Sequence, residues 1–545
     1  MSNYPKIILA QLNFTVGDIK GNIEKILATL ESNSDAELIV FPELCISGYP
    51  PEDLMLLPYF AEHCINNVKA LVTRTKEFSP AILIGTPWVE NGKTYNAALL
   101  IQNGEIKFKQ FKISLPNYGV FDEKRVFSAG EKLESYNFNG VKLGIIICED
   151  IWNIAVASQL KDADVIISIN ASPYEAGKHQ ERVKVVSRLN TAYKKPVLYL
   201  NQICGQDDII FDGGSFIINE HGDLRQFSFF SEELIPIEGY TFIGKHQKID
   251  DMSENEKIYQ AMMLGLRDYV RKNGFPSVIL GMSGGVDSAL TAAIAVDALG
   301  SEKVHLVMLP SKFTSSESLK DAEECSNNLC IKIQNIPISE VVEAFDSTLE
   351  PSFTSLPRNL TEENIQARSR GVLLMALSNK FNHLLLTTGN KSEVAVGYST
   401  LYGDMCGGYN LIKDIYKTKV FELCRWRNNN IPKNSFLEKL NVIPENIIIK
   451  APTAELRDNQ KDEDSLPPYP LLDKILYALI EQQKPVEDIV AANIAPVEVV
   501  EKIAKLLYLA EYKRRQAAPG VKISTMSFNR DRRFPITTKF KFRKC

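Results

Sequence analysis

The sequence is poor in the residues on which metal and disulfide chemistry is usually built. Its six histidines (His63, His179, His221, His246, His305 and His383) form no HExxH pattern, and no CxxC pair accompanies them. That argues against a zinc site. Nine cysteines, odd in number and scattered, make no disulfide framework in 545 residues. They fit reduced thiols, so a cytoplasmic location is expected. The longest apolar runs, such as 143–148 and 292–296, fall far short of the ~20 residues that span a bilayer. The N-terminal MSNYPKIILAQLNF has no basic segment ahead of a long apolar stretch, and it reads as a first strand rather than a secretory signal. Positive charge is not in excess either: 62 Lys+Arg against 67 Asp+Glu leave a net charge of −5. Neither nucleic acid nor a membrane is expected as a partner. The GxxxxGK[ST] phosphate loop and the GxGxxG dinucleotide turn are both absent, as are solenoid repeats and low-complexity tracts.

What is present is ordinary globular material, 45% hydrophobic and 24% charged, long enough for about two to four domains. Short β-rich runs alternate with helical patterns through the first half. Strands are expected at 6–11, 37–41, 81–86, 95–102, 142–148, 164–170, 197–202 and 213–218, with amphipathic helices at 22–31 and 180–193. Continuous apolar runs such as GIIIC and VIISI point to sheets buried on both faces. A polar stretch without periodicity marks a linker at 246–257. It separates a first domain, 1–245, from a second, 258–545. A long helix pattern starts near Glu256, and a strand at 277–280 opens a second alternating α/β series. The charged segment 457–464, bounded by prolines, reads as a loop, either a closing lid or solvated surface.

Residues 278–288 read VILGMSGGVDS, and the helical run ALTAAIAVDAL follows. A strand thus runs into Gly281, Met282, Ser283, Gly284 and Gly285, while Val286, Asp287 and Ser288 begin a helix. Glycines let backbone N–H groups face a ligand, and the helix N-terminus adds partial positive charge, so the turn suits an anion. Ser283 and Ser288 can donate to phosphate oxygens. Asp287 would repel phosphate unless a cation lay between, which makes it a candidate Mg²⁺ ligand.

This string resembles the ATP pyrophosphatase (PP-loop) family, whose members activate a carboxylate or carbonyl as an adenylate. Downstream, NIQARSR (364–370), TTGNKSE (387–393), YGD (402–404), PTAELR (452–457), DEDSL (462–466) and YKRRQ (512–516) resemble NAD synthetases. The resemblance implies a doubly wound parallel-sheet, Rossmann-like ATPase domain. It implies ATP as co-substrate on Gly281–Ser288 and Thr388, Mg²⁺ on Asp287 and Glu393, and deamido-NAD on Asn364, Glu393 and Lys513. Apart from that resemblance, the cluster at Lys513 reads as a solvated cationic helix end.

In the first half, FPEL (41–44) follows a strand. Lys112 lies in FKISLPNYGVFDE (111–123), and Cys148 ends GIIIC before EDIW. Singly these are a surface carboxylate, a surface lysine and a small core thiol. In this order they resemble the nitrilase (carbon–nitrogen hydrolase) superfamily. That implies a four-layer αββα sandwich, with Glu43, Lys112 and Cys148 as the catalytic set. The residue types suit amide hydrolysis: a sulfur nucleophile, a buried carboxylate as base, and a cation facing the oxyanion. Glutamine is the expected substrate, and the resemblance places Tyr118, Ser172 and Lys178 on its amino-acid end. Glu123 is either a further carboxylate of the site or half of a structural ion pair. The histidines common in that family after the lysine are replaced here by Ile113 and Ser114.

Together the halves imply that ammonia freed from glutamine amidates deamido-NAD to NAD at the expense of ATP, through an adenylate. The ammonia would travel in an enclosed passage within a homo-oligomer. The alternative is a PP-loop glutamine amidotransferase acting on another carboxylate or nucleotide.

Overall fold

Alternation of side chains organises the first half of the chain. The structure, a computed structural model, describes residues 4–237, 252–354, 356–457, 460, 462–528 and 530–539. It divides into two compact units with the break at Met252. Strands of the first unit are β1 (Ile7–Gln11), β2 (Leu38–Val40), β3 (Ala81–Glu90), β4 (Lys93–Gln102), β5 (Glu105–Phe111), β6 (Ser135–Phe138) and β7 (Val141–Ile147). They continue as β8 (Val165–Asn170), β9 (Val197–Asn201), β10 (Ile203–Gln206), β11 (Ile209–Asp212), β12 (Phe216–Ile218), β13 (Leu224–Gln226) and β14 (Glu233–Ile237). One six-stranded sheet has the order β14-β1-β2-β3-β4-β5, another the order β13-β12-β9-β8-β7-β6, and β10 and β11 pair as a hairpin.

The two sheets pack face to face. Ile7, Leu9, Leu38, Val40, Leu83 and Leu100 of one meet Leu143, Ile145, Ile147, Ile167 and Leu198 of the other. Because successive strand residues point to opposite faces, their neighbours turn outward. Ile8, Ile39, Ile82 and Ile84 pack on helices Ile19–Ser32 and Pro58–Arg74. Ile146, Ile166 and Val197 pack on helix Lys178–Tyr193. The layers are therefore αββα, as the resemblance implies. Both faces of each sheet are covered, which explains the near-continuous apolar runs; each fully buried Ile or Leu contributes about 1.5–3 kcal/mol.

The second unit begins with helix Glu254–Lys272, whose N-cap Ser253 accepts from Glu256 N at 3.2 Å. The stretch 246–257 taken as linker lies outside the described residues as far as 251, and its last residues form this helix's first turn. Strands β15 (Val278–Gly281), β16 (Val304–Met308), β17 (Gln334–Asn335), β18 (Leu384–Thr387) and β19 (Tyr409–Asn410) form an all-parallel sheet in the order β17-β16-β15-β18-β19. That is a doubly wound sheet, and its order reverses between β15 and β18. Ligands of such sheets bind at the carboxyl ends of the strands flanking this switch. Helix Leu360–Phe381 covers one face through Leu373, Leu374 and Leu377. The helix that follows β15, Val286–Leu299, is buried along nearly its whole length and anchored by Asp297. Asp297 accepts from Tyr259 OH (2.6 Å), Arg427 Nε (2.6 Å) and Ser435 Oγ (2.6 Å). Loss of one member of such a buried ion pair costs about 3–5 kcal/mol. The turn ahead of this helix therefore rests on a fixed support.

Candidate active sites

In the first unit the three expected catalytic residues sit where strands end. Glu43 follows β2, Lys112 follows β5 directly, and Cys148 follows β7 directly. Two sharp backbone turns present them. Leu44, next to Glu43, has φ 47°, and Cys148 itself has φ 45°. Side chains other than glycine pay for this left-handed conformation, and such strain is held where surrounding structure fixes it. Lys112 is wholly buried. Its Nζ donates to Glu43 Oε1 at 2.7 Å and to Glu123 Oε1 at 2.7 Å. Tyr49 OH also donates to Glu123 Oε1, at 2.8 Å. Glu123 is thus an ion-pair partner of Lys112 and lies beside Glu43.

One ammonium serves two carboxylates here, so one carboxylate is under-compensated. Burial and the charge of Glu43 push Glu123 up to about 7 despite Lys112. Burial works against the charged lysine, but Glu123 and Glu43 outweigh it and hold its pKa well above the ordinary value. Burial, then the charge of Glu43, push the Cys148 thiol well up, against the pull of Lys112. The resting sulfur is thus a protonated thiol in need of a base.

The loop carrying Lys112 is pinned by Asp150, two residues after the cysteine. Its carboxylate accepts from Ile113 N (3.1 Å) and Ser114 N (Oδ1). The positions where the superfamily often has histidine thus serve through their backbone. Of the residues expected to hold glutamine, Tyr118 and Lys178 lie near Glu149 and Trp152. Tyr118 OH donates to Glu149 Oε2 at 3.0 Å, and Lys178 Nζ stands 4.8 Å from the Trp152 ring. Ser172 is held inward instead: its Oγ accepts from Arg182 Nε at 3.0 Å, and Arg182 is paired with Asp212 at 2.8 Å.

In the second unit the glycine turn opens on a cavity of about 340 Å³. Gly281, Met282, Ser283, Gly285, Val286, Asp287 and Ser288 line it together with Thr388 and Glu393. Gly284 makes the turn with φ 77°, and a Cβ there would lie 2.3 Å from the Ser318 carbonyl oxygen. The serines tie the turn to the helix: Ser288 Oγ lies 3.1 Å from Ser283 Oγ and donates to Gly285 O at 3.0 Å.

Asp287 and Glu393 converge on one point, the ammonium of Lys417. Lys417 Nζ bonds Asp287 Oδ2 and donates to Glu393 Oε1 at 3.0 Å. Asn390 Nδ2 donates to Asp287 Oδ1 at 2.9 Å. Burial pushes Glu393 up to about 7, with Lys417 opposing and Asp287 and Asp462 reinforcing. Among the described residues no group of three or more His, Cys, Asp or Glu is placed to hold a metal by itself. The structure does not bring Asn364 or Lys513 into the cavity lining. Asn364 Oδ1 accepts from Thr400 Oγ1 at 2.9 Å. Lys513 Nζ donates to Gly397 O (2.8 Å) and Ser399 O (2.6 Å). Both thus brace the segment 397–400. Of segment 457–464, residues 458, 459 and 461 lie outside the described residues; among the others Asp462 is buried, lines the cavity and accepts from Tyr469 OH at 2.8 Å, whereas Arg457 is exposed and paired with Asp464.

Sequence reasoning missed Lys417, Asn390, Asp150 and Asn96, the last a donor to Glu43 Oε1 at 2.7 Å. Asp150 and Asn390 had a local signal, since they stand in the CEDIW and TTGNKSE strings. Lys417 and Asn96 had none, because they lie in elements remote from the motifs.

The fold and these clusters define a chain that joins a carbon–nitrogen hydrolase unit to a nucleotide-binding α/β unit. Comparison with known families agrees. Residues 6–236 match the carbon-nitrogen hydrolase model and residues 258–517 the NAD synthase model. The glutamine-dependent NAD(+) synthetase of Acinetobacter baylyi is 45% identical over 541 residues, covering 97% of this chain and 98% of that protein. The solved structure of the Acinetobacter baumannii glutamine-dependent NAD+ synthetase, in complex with ADP, is 41% identical with a TM-score of 0.77, covering 98% of each chain. That of the Cytophaga hutchinsonii glutamine-dependent NAD(+) synthetase, 24% identical, shares the fold with a TM-score of 0.82 over 98% of each chain. The chain belongs to the glutamine-dependent NAD(+) synthetase family.

Proposed function

We propose that the chain amidates deamido-NAD to NAD with ammonia taken from glutamine, converting ATP to AMP and pyrophosphate. What carries this reading is that the Gly281–Ser288 turn, Asp287 and Glu393 share one cavity, in a chain whose other unit gathers Glu43, Lys112 and the buried Cys148.

In the first unit Cys148 Sγ attacks the glutamine amide carbon while its proton passes to Glu43. Two Lys112 N–H groups are held by Glu43 and Glu123, which leaves the third for the oxyanion, beside the backbone N–H of Glu149. Collapse expels ammonia, with the proton returning from Glu43. Water activated by the same carboxylate then releases glutamate from the thioester. Because the thiol rests protonated, proton transfer accompanies attack rather than preceding it. Tyr118, Ser172 and Lys178 are assigned to the amino-acid end of glutamine.

In the second unit the nicotinate carboxylate attacks the α-phosphorus of ATP, pyrophosphate leaves, and ammonia displaces AMP from the resulting acyl adenylate. The turn and Thr388 hold ATP, and Lys417 is placed to meet its phosphates. Asn364, Glu393 and Lys513 are assigned to deamido-NAD, the first and last through the segment they brace. Two carboxylates converging on a cation suit Mg²⁺ whose remaining ligands are phosphate oxygens and water, so Asp287 and Glu393 would hold it. When bound, it would neutralise charge on the triphosphate. The domains assigned to the two steps are residues 1–245 and 258–545. A cytoplasmic homo-oligomer is the form proposed. The test is to follow NAD, AMP and glutamate with glutamine as sole nitrogen donor. Equal amounts of all three support the reading; glutamate without AMP, or an NAD yield unaffected by omitting deamido-NAD, refutes it.

A further inference from the structure

We propose that Asn96 is a positioning residue of the glutamine-hydrolysing site, which selects the oxygen of Glu43 that takes the thiol proton. The inference rests on Glu43 acting as the base in the reading above.

Asn96 lies on β4 and is 1% exposed. It touches two catalytic residues in different ways. Its Nδ2 donates to Glu43 Oε1 at 2.7 Å, and its main-chain oxygen accepts from Lys112 N at 2.9 Å. One residue thus fixes the side chain of the base and the backbone from which the oxyanion cation extends. The lone pairs of Glu43 show what this does. Oε1 receives two donors, Asn96 Nδ2 and Lys112 Nζ, which occupy both of its lone pairs. Oε2 receives one donor, Ala171 N at 2.9 Å, and keeps one lone pair open. The proton from Cys148 is directed to Oε2 as long as the Asn96 amide saturates Oε1.

The orientation of this amide has a cost. With Nδ2 turned to the carboxylate, Asn96 Oδ1 is buried and has no partner. A buried orphan acceptor is destabilising, whereas the next residues of the strand, Ala97 to Ile101, are wholly apolar and fully buried. An apolar side chain would suit packing better at this position. The amide is explained by what it does to Glu43.

The experiment measures glutamate release from glutamine, as kcat and KM against pH, for the wild type, Asn96→Asp and Asn96→Ser. The charged and titratable groups facing Glu43 are Lys112, Glu123, Cys148, Glu149 and Tyr49, and none of them is altered in these variants. Asn96→Asp keeps the shape but replaces the donor with an acid. We expect kcat to fall about 10- to 100-fold. The acidic limb of the kcat profile should move up by about one pH unit, because a second acid adjoins the base. KM for glutamine should stay within about threefold, since the substrate contacts are elsewhere. Asn96→Ser fits within the space asparagine occupied, but its hydroxyl stops one bond short of Glu43, so it removes the donor without adding an acid; kcat should fall with the limb displaced less than in Asn96→Asp. A limb that stays in place in both variants, whatever the loss of activity, overturns the proposal and leaves only a packing role. Absence of glutamate release by the wild type would overturn the catalytic reading together with the proposal. Normal wild-type hydrolysis beside unmoved variants overturns the proposal alone.

Discussion

Replacing Lys112 by methionine tests the electrostatics of the first site through stability as well as activity. The wild-type ammonium lies between two buried carboxylates, 2.7 Å from each. Methionine keeps the stem's packing and removes the charge, so Glu43 and Glu123 would then face each other without a counter-ion. Breaking a buried ion pair from one side costs about 3–5 kcal/mol, most of it for the charge left behind. The carboxylates can escape this penalty only by taking up a proton. Glu123 is already raised to about 7, from an ordinary 4.5, by burial and by Glu43, and loss of Lys112 moves it further in the same direction. The folded state then binds more protons than the unfolded chain from pH 4.5 upward, so stability falls as pH rises through that window. We therefore expect Lys112→Met to be destabilised by about 3–5 kcal/mol at pH 8 and clearly less at pH 6. Adding Glu123→Gln should restore most of the loss at pH 8. The assay is urea unfolding of the full chain at both pH values, following the transition of the first unit, with glutamate release measured in parallel. Equal stability of wild type and variant at pH 8, or a destabilisation independent of pH, would show that the two carboxylates do not share this cation.

Two further substitutions separate the units. Cys148→Ala should abolish NAD formation from glutamine but leave formation from ammonium salts intact, because the second cavity contains no part of that cysteine; equal loss with both donors would contradict this division. Gly284→Ala should raise KM for ATP about tenfold or more in ammonium-driven synthesis. Its Cβ would meet the Ser318 carbonyl oxygen at 2.3 Å, and φ 77° costs a non-glycine residue about 1–2 kcal/mol, so the turn must shift. An unchanged KM for ATP would remove the turn from the nucleotide site.

The parts of the site legible in the sequence are those whose chemistry and geometry share one short string. Cys148, Glu43 and Lys112 could be found because each stands in a short string, GIIIC-EDIW, FPEL and FKISLPNYGVFDE, whose order along the chain resembles the carbon–nitrogen hydrolases. The glycine loop could be found because its strand, glycine turn and helix start follow one another in a single string. The strands with the clearest apolar period, β1, β7, β8 and β9, were legible for the same reason. β5 was not, because EIKFKQF lies at a sheet edge, has no continuous apolar run and places only half-buried apolar residues between exposed ones, with Gln110 its one buried residue; β14 carries Pro236, which an edge strand tolerates.

Electrostatic partners obey a different logic. Lys417 lies 130 residues from Asp287, in the first turn of helix Lys417–Asn429. Asn96 lies in the strand YNAALL, 53 residues from Glu43. Neither has a local signature, because what fixes its identity is a charge brought near only when the sheet forms. A carboxylate pair that must be buried yet remain ionisable requires a cation or an amide somewhere in the fold, but the requirement says nothing about where along the chain it will be met. Motifs therefore reveal the residues that cluster. The partners that hold them, Asn96 beside Glu43 and Lys417 between Asp287 and Glu393, are legible only in three dimensions.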